Sequence, residues 1–101
     1  MKLSTEQRMQ AYRVLIGEAL AEQRKTKKLS QQAVADKTGT SRVSISYYEN
    51  GLRSINTDEL FTLCTACGFD AVKIMNNAYN ASDGELQKAY TKYFDRAMSL
   101  E

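Results

Sequence analysis

Side chains able to form specific hydrogen bonds recur at helical spacing after Ser41. A serine hydroxyl can accept a bond from a free backbone N–H, so Ser41 is expected to start a helix. The outward face of that helix then consists of Arg42, Val43, Ser46, Tyr47 and Asn50. Guanidinium, hydroxyl and amide groups bind phosphates and base edges. The pattern therefore predicts binding chemistry rather than catalysis.

Two short helices joined by a tight turn would hold this face in place. Residues 29–51 read LSQQAVADKTGTSRVSISYYENG, with Ser30 as a cap for the first helix. Gly39 lies at the turn, where a residue without Cβ adopts a positive φ easily. Apolar residues at helical spacing form an inner seam, namely Val34, Ala35, Ile45 and Tyr48. Such a helix pair is expected to place its second helix in the major groove of double-stranded DNA.

Catalytic and metal-binding patterns are missing from the sequence. It contains 0 His, and it shows neither a Gly-rich phosphate loop nor a nucleophile with a partner base. Cys64 and Cys67 form a CxxC, but structural zinc takes four ligands and these are the only 2 Cys. We expect no enzymatic activity, no cofactor and no metal, with the cysteines as buried core thiols. A redox or metal role is the alternative for this pair.

The charge distribution is uneven along the 101 residues. Residues 1–56 hold 10 Lys/Arg and 5 Asp/Glu, a net charge of +5, whereas residues 57–101 hold 4 and 7, a net charge of −3. The basic half contains the two-helix stretch, as expected if that end of the molecule meets phosphates. No apolar run is long enough to span a bilayer, so we expect a cytoplasmic protein without a membrane partner.

The remaining segments predict further helices. A capping box at Ser4 opens a long amphipathic helix that ends near residue 26, and another helix follows over residues 57–67. Residues 69–75 fit either a helix or a short strand, and we favour a helix capped by Asp70. A second capping box at Ser82 opens a last helix to about residue 99. Its apolar stripe consists of Leu86, Ala89, Tyr90, Tyr93, Phe94, Ala97 and Met98.

We expect the chain to consist of two parts, with the boundary just before the last helix. Residues 1–80 form the DNA-binding domain, with the helix-turn-helix at about residues 30–50. Residues 81–101 form an amphipathic helix that must be covered, because an apolar stripe of this length is rarely left in water. It either packs on the first helix of the same chain or forms a dimer interface.

The stretch at residues 24–53 resembles the lambda-repressor-like helix-turn-helix family, the Xre/Cro/CI group of phage and bacterial regulators. The resemblance covers about residues 16–68. It rests on Gln31, Ala35, Gly39, Ser41, the pair Ile45-Ser46 and the run Glu49-Asn50-Gly51. It implies an all-α bundle of about five short helices that contains a helix-turn-helix. The long first helix and the C-terminal helix extend beyond that family core.

The resemblance also implies roles for single residues. Arg42, Val43 and Tyr47 occupy positions that read base edges in the family. Gln31 matches a position that bonds a backbone phosphate, and Arg53 one that holds the flanking backbone. The accessory or phosphate contacts fall on Ser41, Ser46 and Asn50. In some relatives a salt bridge joins the positions of Arg24 and Glu49, tying the first helix to the recognition helix.

These observations lead to two hypotheses. The first is a sequence-specific, double-stranded DNA-binding transcriptional regulator of the repressor type, acting as a homodimer on a near-palindromic operator. The alternative is an antitoxin or adaptor whose C-terminal helix binds a protein partner. The burial of the stripe that includes Phe94 and Met98 distinguishes them, since an adaptor needs that surface to be open.

Overall fold

The computed structural model describes residues 2–100, so the outermost residue of each predicted part, at 1 and 101, lies outside it. Within this range the chain forms six helices and no strand, which confirms the predicted all-α fold. The helices are α1 (Thr5–Thr26), α2 (Gln31–Thr38), α3 (Arg42–Glu49), α4 (Thr57–Cys67), α5 (Ala71–Tyr79) and α6 (Asp83–Met98). Among them none combines the length and the apolarity that crossing a bilayer requires.

Local capping explains where the helices begin. Ser4 and Ser82 form the predicted capping boxes, in which each serine accepts from the N–H three residues on, while Gln7 and Glu85 bond back to the N–H of their serine. The other helices start at a single capping side chain, from Ser30, Ser41, Asn56 and Asp70 in chain order. Local sequence therefore fixes the starts of all six described helices.

Residues 71–79 form a helix that Asp70 caps, so the strand alternative for residues 69–75 is wrong. Asp70 caps α5 by accepting from the N–H of Lys73 at 3.1 Å. The segment is tied to α1 by Gln23, whose Oε1 accepts from the N–H of Asp70 at 2.6 Å and whose Nε2 donates to the Asp70 carbonyl at 3.0 Å. Ile74 and Ala78 lie inward at helical spacing. Burial at this spacing is typical of a helix and not of a strand.

α1 is the central helix of the fold, since it contacts α3, α5 and α6. The sequence pattern predicted one apolar stripe along it, but the structure buries more than one side. Its buried residues are Ala11, Val14, Leu15, Gly17 and Leu20. Met9, an apolar residue on the same helix, is 51 % exposed. A helix covered by neighbours on several sides does not show the single stripe of a surface helix.

The apolar stripe of α6 divides into a covered part and an open part. Leu86 and Ala89 are buried in a cluster with residues of α1, and Tyr90 packs against the same cluster. Phe94 and Met98 are each 51 % exposed. α6 thus packs on the first helix of its own chain over part of its length.

Cys64 and Cys67 are free and buried on α4. Both lie at the apolar face that also includes Leu60 and Leu63. In the part of the chain that the structure describes, no three His, Cys, Asp or Glu side chains are grouped as a metal ion would require. Because both side chains are buried at this apolar face, the two cysteines pack as small apolar residues.

The cysteines should react slowly in the folded protein. Burial raises the pKa of Cys64 to about 11 and also raises the pKa of Cys67. The thiolate is the reactive species, so we expect iodoacetamide at mildly alkaline pH to alkylate the native protein roughly a hundredfold more slowly than the denatured protein. Mass spectrometry of quenched samples measures both rates. Equal rates would show that α4 opens easily or that the thiols are not buried.

Candidate nucleic-acid interface

The turn between α2 and α3 sets the direction of the second helix. Gly39 ends α2 in the left-handed region, at φ 69°. Apart from Gly39 itself and its two chain neighbours, no residue of the described part of the chain has an atom within 4 Å of the place its Cβ would take, so the backbone conformation alone calls for glycine here. Ser41 then caps α3, with its Oγ accepting from the N–H of Ser44 at 3.0 Å. α3 therefore begins at the surface.

α3 has one buried side and one open side. Ile45 and Tyr48 lie in the apolar cluster with Val34 of α2, as the sequence predicted. On the other side Arg42 is exposed and Val43 is 51 % exposed. An apolar residue and a cation in water on the first turn of a braced helix have no role in the core, so they are available for a partner.

Tyr48 also fastens α3 to α4, because its hydroxyl donates to a carboxylate oxygen of Glu59. Burial, and to a smaller extent this carboxylate, raises the pKa of Tyr48 above its ordinary value. The hydroxyl thus stays protonated as a donor. The buried side of α3 is therefore held by apolar packing and by this hydrogen bond to α4.

Tyr47 and Arg53 form one unit on the open side. The Arg53 guanidinium carbon lies 5.1 Å from the centre of the Tyr47 ring, within the range of a cation–π contact. Nη1 of Arg53 donates to Ser44 Oγ at 2.9 Å. The loop cation is therefore held beside α3 before any ligand arrives. Ser44 was not among the predicted site residues, since only the fold shows that Arg53 returns to it.

Asn50 and Ser46 lie at the C-terminal end of α3 and are partly buried. Nδ2 of Asn50 donates to the Ser46 carbonyl at 2.9 Å. The structure thus places Asn50 at the helix end, with its amide folded back on the last turn. Arg42 and Val43 lie at the opposite end, so the five predicted residues of the outward face extend over the whole length of α3.

Arg24, Gln31 and Glu49 form a network that joins α1, α2 and α3. Arg24 binds Glu49 with two parallel bonds, Nε to Oε2 at 2.6 Å and Nη2 to Oε1 at 2.9 Å. Its Nη1 donates to the Leu29 carbonyl at 2.9 Å, and Gln31 Nε2 donates to Glu49 Oε1 at 3.0 Å. The hydrogen bond with Glu49 is the main cause that raises the pKa of Arg24. The Arg24 and Glu49 side chains are only 12 % and 8 % exposed.

Two residues that position α3 escaped the sequence analysis. A Cβ on Gly17 of α1 would lie 2.7 Å from the Glu49 carbonyl oxygen and still closer to that of Tyr48. Arg96 of α6 donates from Nη1 to the Asn50 carbonyl at 3.1 Å. Neither residue carries a local signal, because each acts through a neighbour that only the fold supplies.

Two helices that pack through their inner faces, with the outer face of the second helix open to solvent and a cation held beside it, have the geometry of a helix-turn-helix DNA-binding protein. Residues 20–74, more than half of the chain, match the helix-turn-helix family. The chain belongs to this lambda-repressor-like, Xre-type family. The family consists of DNA-binding regulators and not of enzymes, so the chain is a DNA-binding helix-turn-helix regulator. No curated protein matches the sequence in a direct comparison.

Proposed function

We propose that this regulator is a sequence-specific repressor that binds double-stranded DNA as a homodimer on a near-palindromic operator in the cytoplasm. The observation that carries the proposal is the division of α3, which buries Ile45 and Tyr48 and leaves Arg42 and Val43 in water. A helix fixed on one side with exposed side chains on the other can enter a major groove without rearranging.

Base contacts are assigned to the open side of α3. Arg42, on its first turn, donates in a bidentate manner to O6 and N7 of a guanine. Val43 packs on a thymine methyl group. Tyr47 contacts the next base or a phosphate, and Arg53, held over its ring, binds the flanking backbone. Accessory contacts are assigned to Ser41 and Ser46.

Gln31 and Asn50 are assigned to phosphates. One N–H of the Gln31 amide is bound to Glu49, and an amide nitrogen carries a second N–H, which we assign to a phosphate oxygen. Nδ2 of Asn50 already donates to the Ser46 carbonyl, so we assign Asn50 only an accessory contact with a phosphate. Because Glu49 is held by Arg24, these contacts also fix the orientation of α3 on the duplex.

We propose a homodimer because a single recognition helix of this length can read only a short stretch of DNA. Eight residues reach only a few base pairs, whereas two such helices about 34 Å apart read successive major-groove turns. Val72, Met75 and Tyr79 share one open face of α5, and Tyr79 is 86 % exposed. This exposed apolar face supports an association of two copies.

The proposal of repression rather than activation is the simpler one. Repression needs only occupancy of the operator, whereas activation needs a further contact with the polymerase.

The test is to select duplexes from a randomised pool with the full chain and to compare the enriched duplex with a scrambled one. We expect a two-fold symmetric enriched sequence that is bound about a thousandfold more tightly than the scrambled one. Arg42→Ala should lose roughly ten- to a hundredfold of the discrimination at one base pair of each half-site. Fluorescence anisotropy at two salt concentrations measures both quantities.

Lys88→Ala is the matched control, since it removes one positive charge from an exposed position on α6. It should leave the discrimination unchanged. If the pool yields no enriched sequence, or if Arg42→Ala and Lys88→Ala lose discrimination equally, then α3 does not read bases. Weak binding of all duplexes that disappears with salt would leave only an electrostatic contact.

A second candidate function, an adaptor or antitoxin, has one observation in its favour. Phe94 and Met98 stay half-exposed at the end of an apolar stripe whose other residues are buried or partly buried. That surface is small, because Leu86 and Ala89 of the same stripe are buried inside the monomer. A protein partner becomes the leading proposal if selection yields no DNA sequence and Phe94→Ser abolishes capture of the product of a neighbouring gene.

A further inference from the structure

The C-terminal end of α3 receives a hydrogen bond from outside the helix-turn-helix. Gly51, at φ 71°, and Leu52 close α3 by donating from their N–H groups to the Tyr48 and Tyr47 carbonyls, at 3.1 and 3.0 Å. This cap does not use the carbonyl of Asn50. Arg96 Nη1 donates to that oxygen at 3.1 Å. The last carbonyls of a helix carry a partial negative charge, so a guanidinium is a favourable partner there.

Arg96 is itself held in place by α1. Its Nη2 lies 3.5 Å from Glu18 Oε2, and Lys92 Nζ donates to the same oxygen at 2.9 Å. The Arg96 side chain is 30 % exposed, whereas that of Lys92 is 51 % exposed. Arg96 thus bridges α1 and the end of α3, while the ion pair of Lys92 goes to α1.

α3 depends on such external contacts because it is short. A helix of eight residues is not stable by itself, and its orientation comes from tertiary packing. Ser41 fixes its first turn, and the apolar seam holds it through Ile45 and Tyr48. Its C-terminal end is fixed by the Arg24–Glu49 pair and by Arg96, which lies outside the family match at residues 20–74.

We propose that Arg96 is a positioning residue for DNA recognition, through which α6 holds the end of α3 in its binding orientation. The proposal rests on the proposed function, since it concerns how α3 is presented to its operator. It gives the C-terminal helix a role in the affinity for DNA that needs no contact between α6 and the duplex. Removal of the guanidinium should loosen the last turn of α3 and weaken specific binding.

The experiment compares Arg96→Ala, Arg96→Lys and Lys92→Ala in the full chain. Lys92→Ala is the matched control, because it removes a cation from the same Glu18 oxygen and leaves the Asn50 carbonyl bonded. Affinities for the enriched and scrambled duplexes are measured over a salt series. Hydrogen exchange of the Gly51 and Leu52 amides is followed by NMR without DNA.

For Arg96→Ala we expect a roughly tenfold lower ratio of specific to scrambled affinity, an unchanged salt slope and several-fold faster exchange at Gly51 and Leu52. Lys92→Ala should change the ratio and the exchange by less than about twofold, because it only removes an exposed ion pair. Arg96→Lys should recover part of the ratio, since an ammonium group still donates to the carbonyl.

Three results would overturn the inference. If Arg96→Ala weakens both duplexes alike and lowers the salt slope by about one, Arg96 contacts a phosphate instead of positioning α3. If Arg96→Ala behaves like Lys92→Ala while the wild type discriminates normally, the positioning role alone fails. If the wild type prefers no sequence, the proposed function fails and the positioning role falls with it.

Discussion

Glu49→Ala is expected to lower the free energy of unfolding by about 3–5 kcal/mol, the range observed when one partner of a buried ion pair is removed. The Arg24 guanidinium would keep only the Leu29 carbonyl as a partner, at a site where its side chain is 12 % exposed. Gln31 would lose its acceptor as well. Urea unfolding followed by circular dichroism measures the change. Since the network joins three helices, the loss should affect the whole transition and not one local step.

Two further variants distinguish the loss of the buried Arg24–Glu49 pair from the loss of a carboxylate in general. Glu22→Ala removes a carboxylate from an exposed position on α1 and should change the free energy of unfolding by at most about 0.5 kcal/mol. The double variant Arg24→Met with Glu49→Leu leaves no unpaired charge and should be more stable than Glu49→Ala alone. If Glu49→Ala costs no more than Glu22→Ala, the pair contributes nothing to the fold.

Local rules explain why so much of this fold was predictable. Each helix start has a capping side chain in the adjacent sequence. Gly39 marks the turn, because the turn requires a positive φ and glycine adopts one easily. The apolar seam of the helix-turn-helix repeats at helical spacing over a few residues, so Val34 and Ile45 could be placed inward before the structure was known. The same helical spacing placed Arg42, Val43, Ser46, Tyr47 and Asn50 on the outward face of α3.

The contacts that position α3 were not predictable in the same way. Arg96 reaches the Asn50 carbonyl across 46 positions of sequence, and Arg53 reaches Ser44 only because the loop after Gly51 turns back. The resemblance to the family indicated the Arg24–Glu49 pair but not that Gln31 donates to the same carboxylate. Spacing rules apply within one helix, whereas these bonds depend on how separate helices meet.

For Gly17→Ala, helix propensity and tertiary packing predict changes of opposite sign in the free energy of unfolding. In the middle of an isolated helix, glycine is less favourable than alanine by about 0.5–1 kcal/mol, so Gly17→Ala should stabilise α1. In the fold, α1 approaches the last turn of α3 so closely that a Cβ would lie 2.7 Å from the Glu49 carbonyl oxygen. The tertiary contact decides, because backbone atoms of a neighbouring helix cannot move aside as a flexible side chain can.

We therefore expect Gly17→Ala to lower the free energy of unfolding by about 2–3 kcal/mol, at the upper end of overpacking costs, and to weaken specific DNA binding by displacing α3. Gly84→Ala is the matched control, because Gly84 lies on α6 with its nearest contact at 3.9 Å, an ordinary van der Waals distance. That variant should be neutral or more stable by up to about 1 kcal/mol. Urea unfolding of both variants gives the two signs. If both glycine-to-alanine changes stabilise the protein, α1 does not pack tightly on α3, and the orientation of the recognition helix is set by its other contacts, among them the Arg24–Glu49 pair and Arg96.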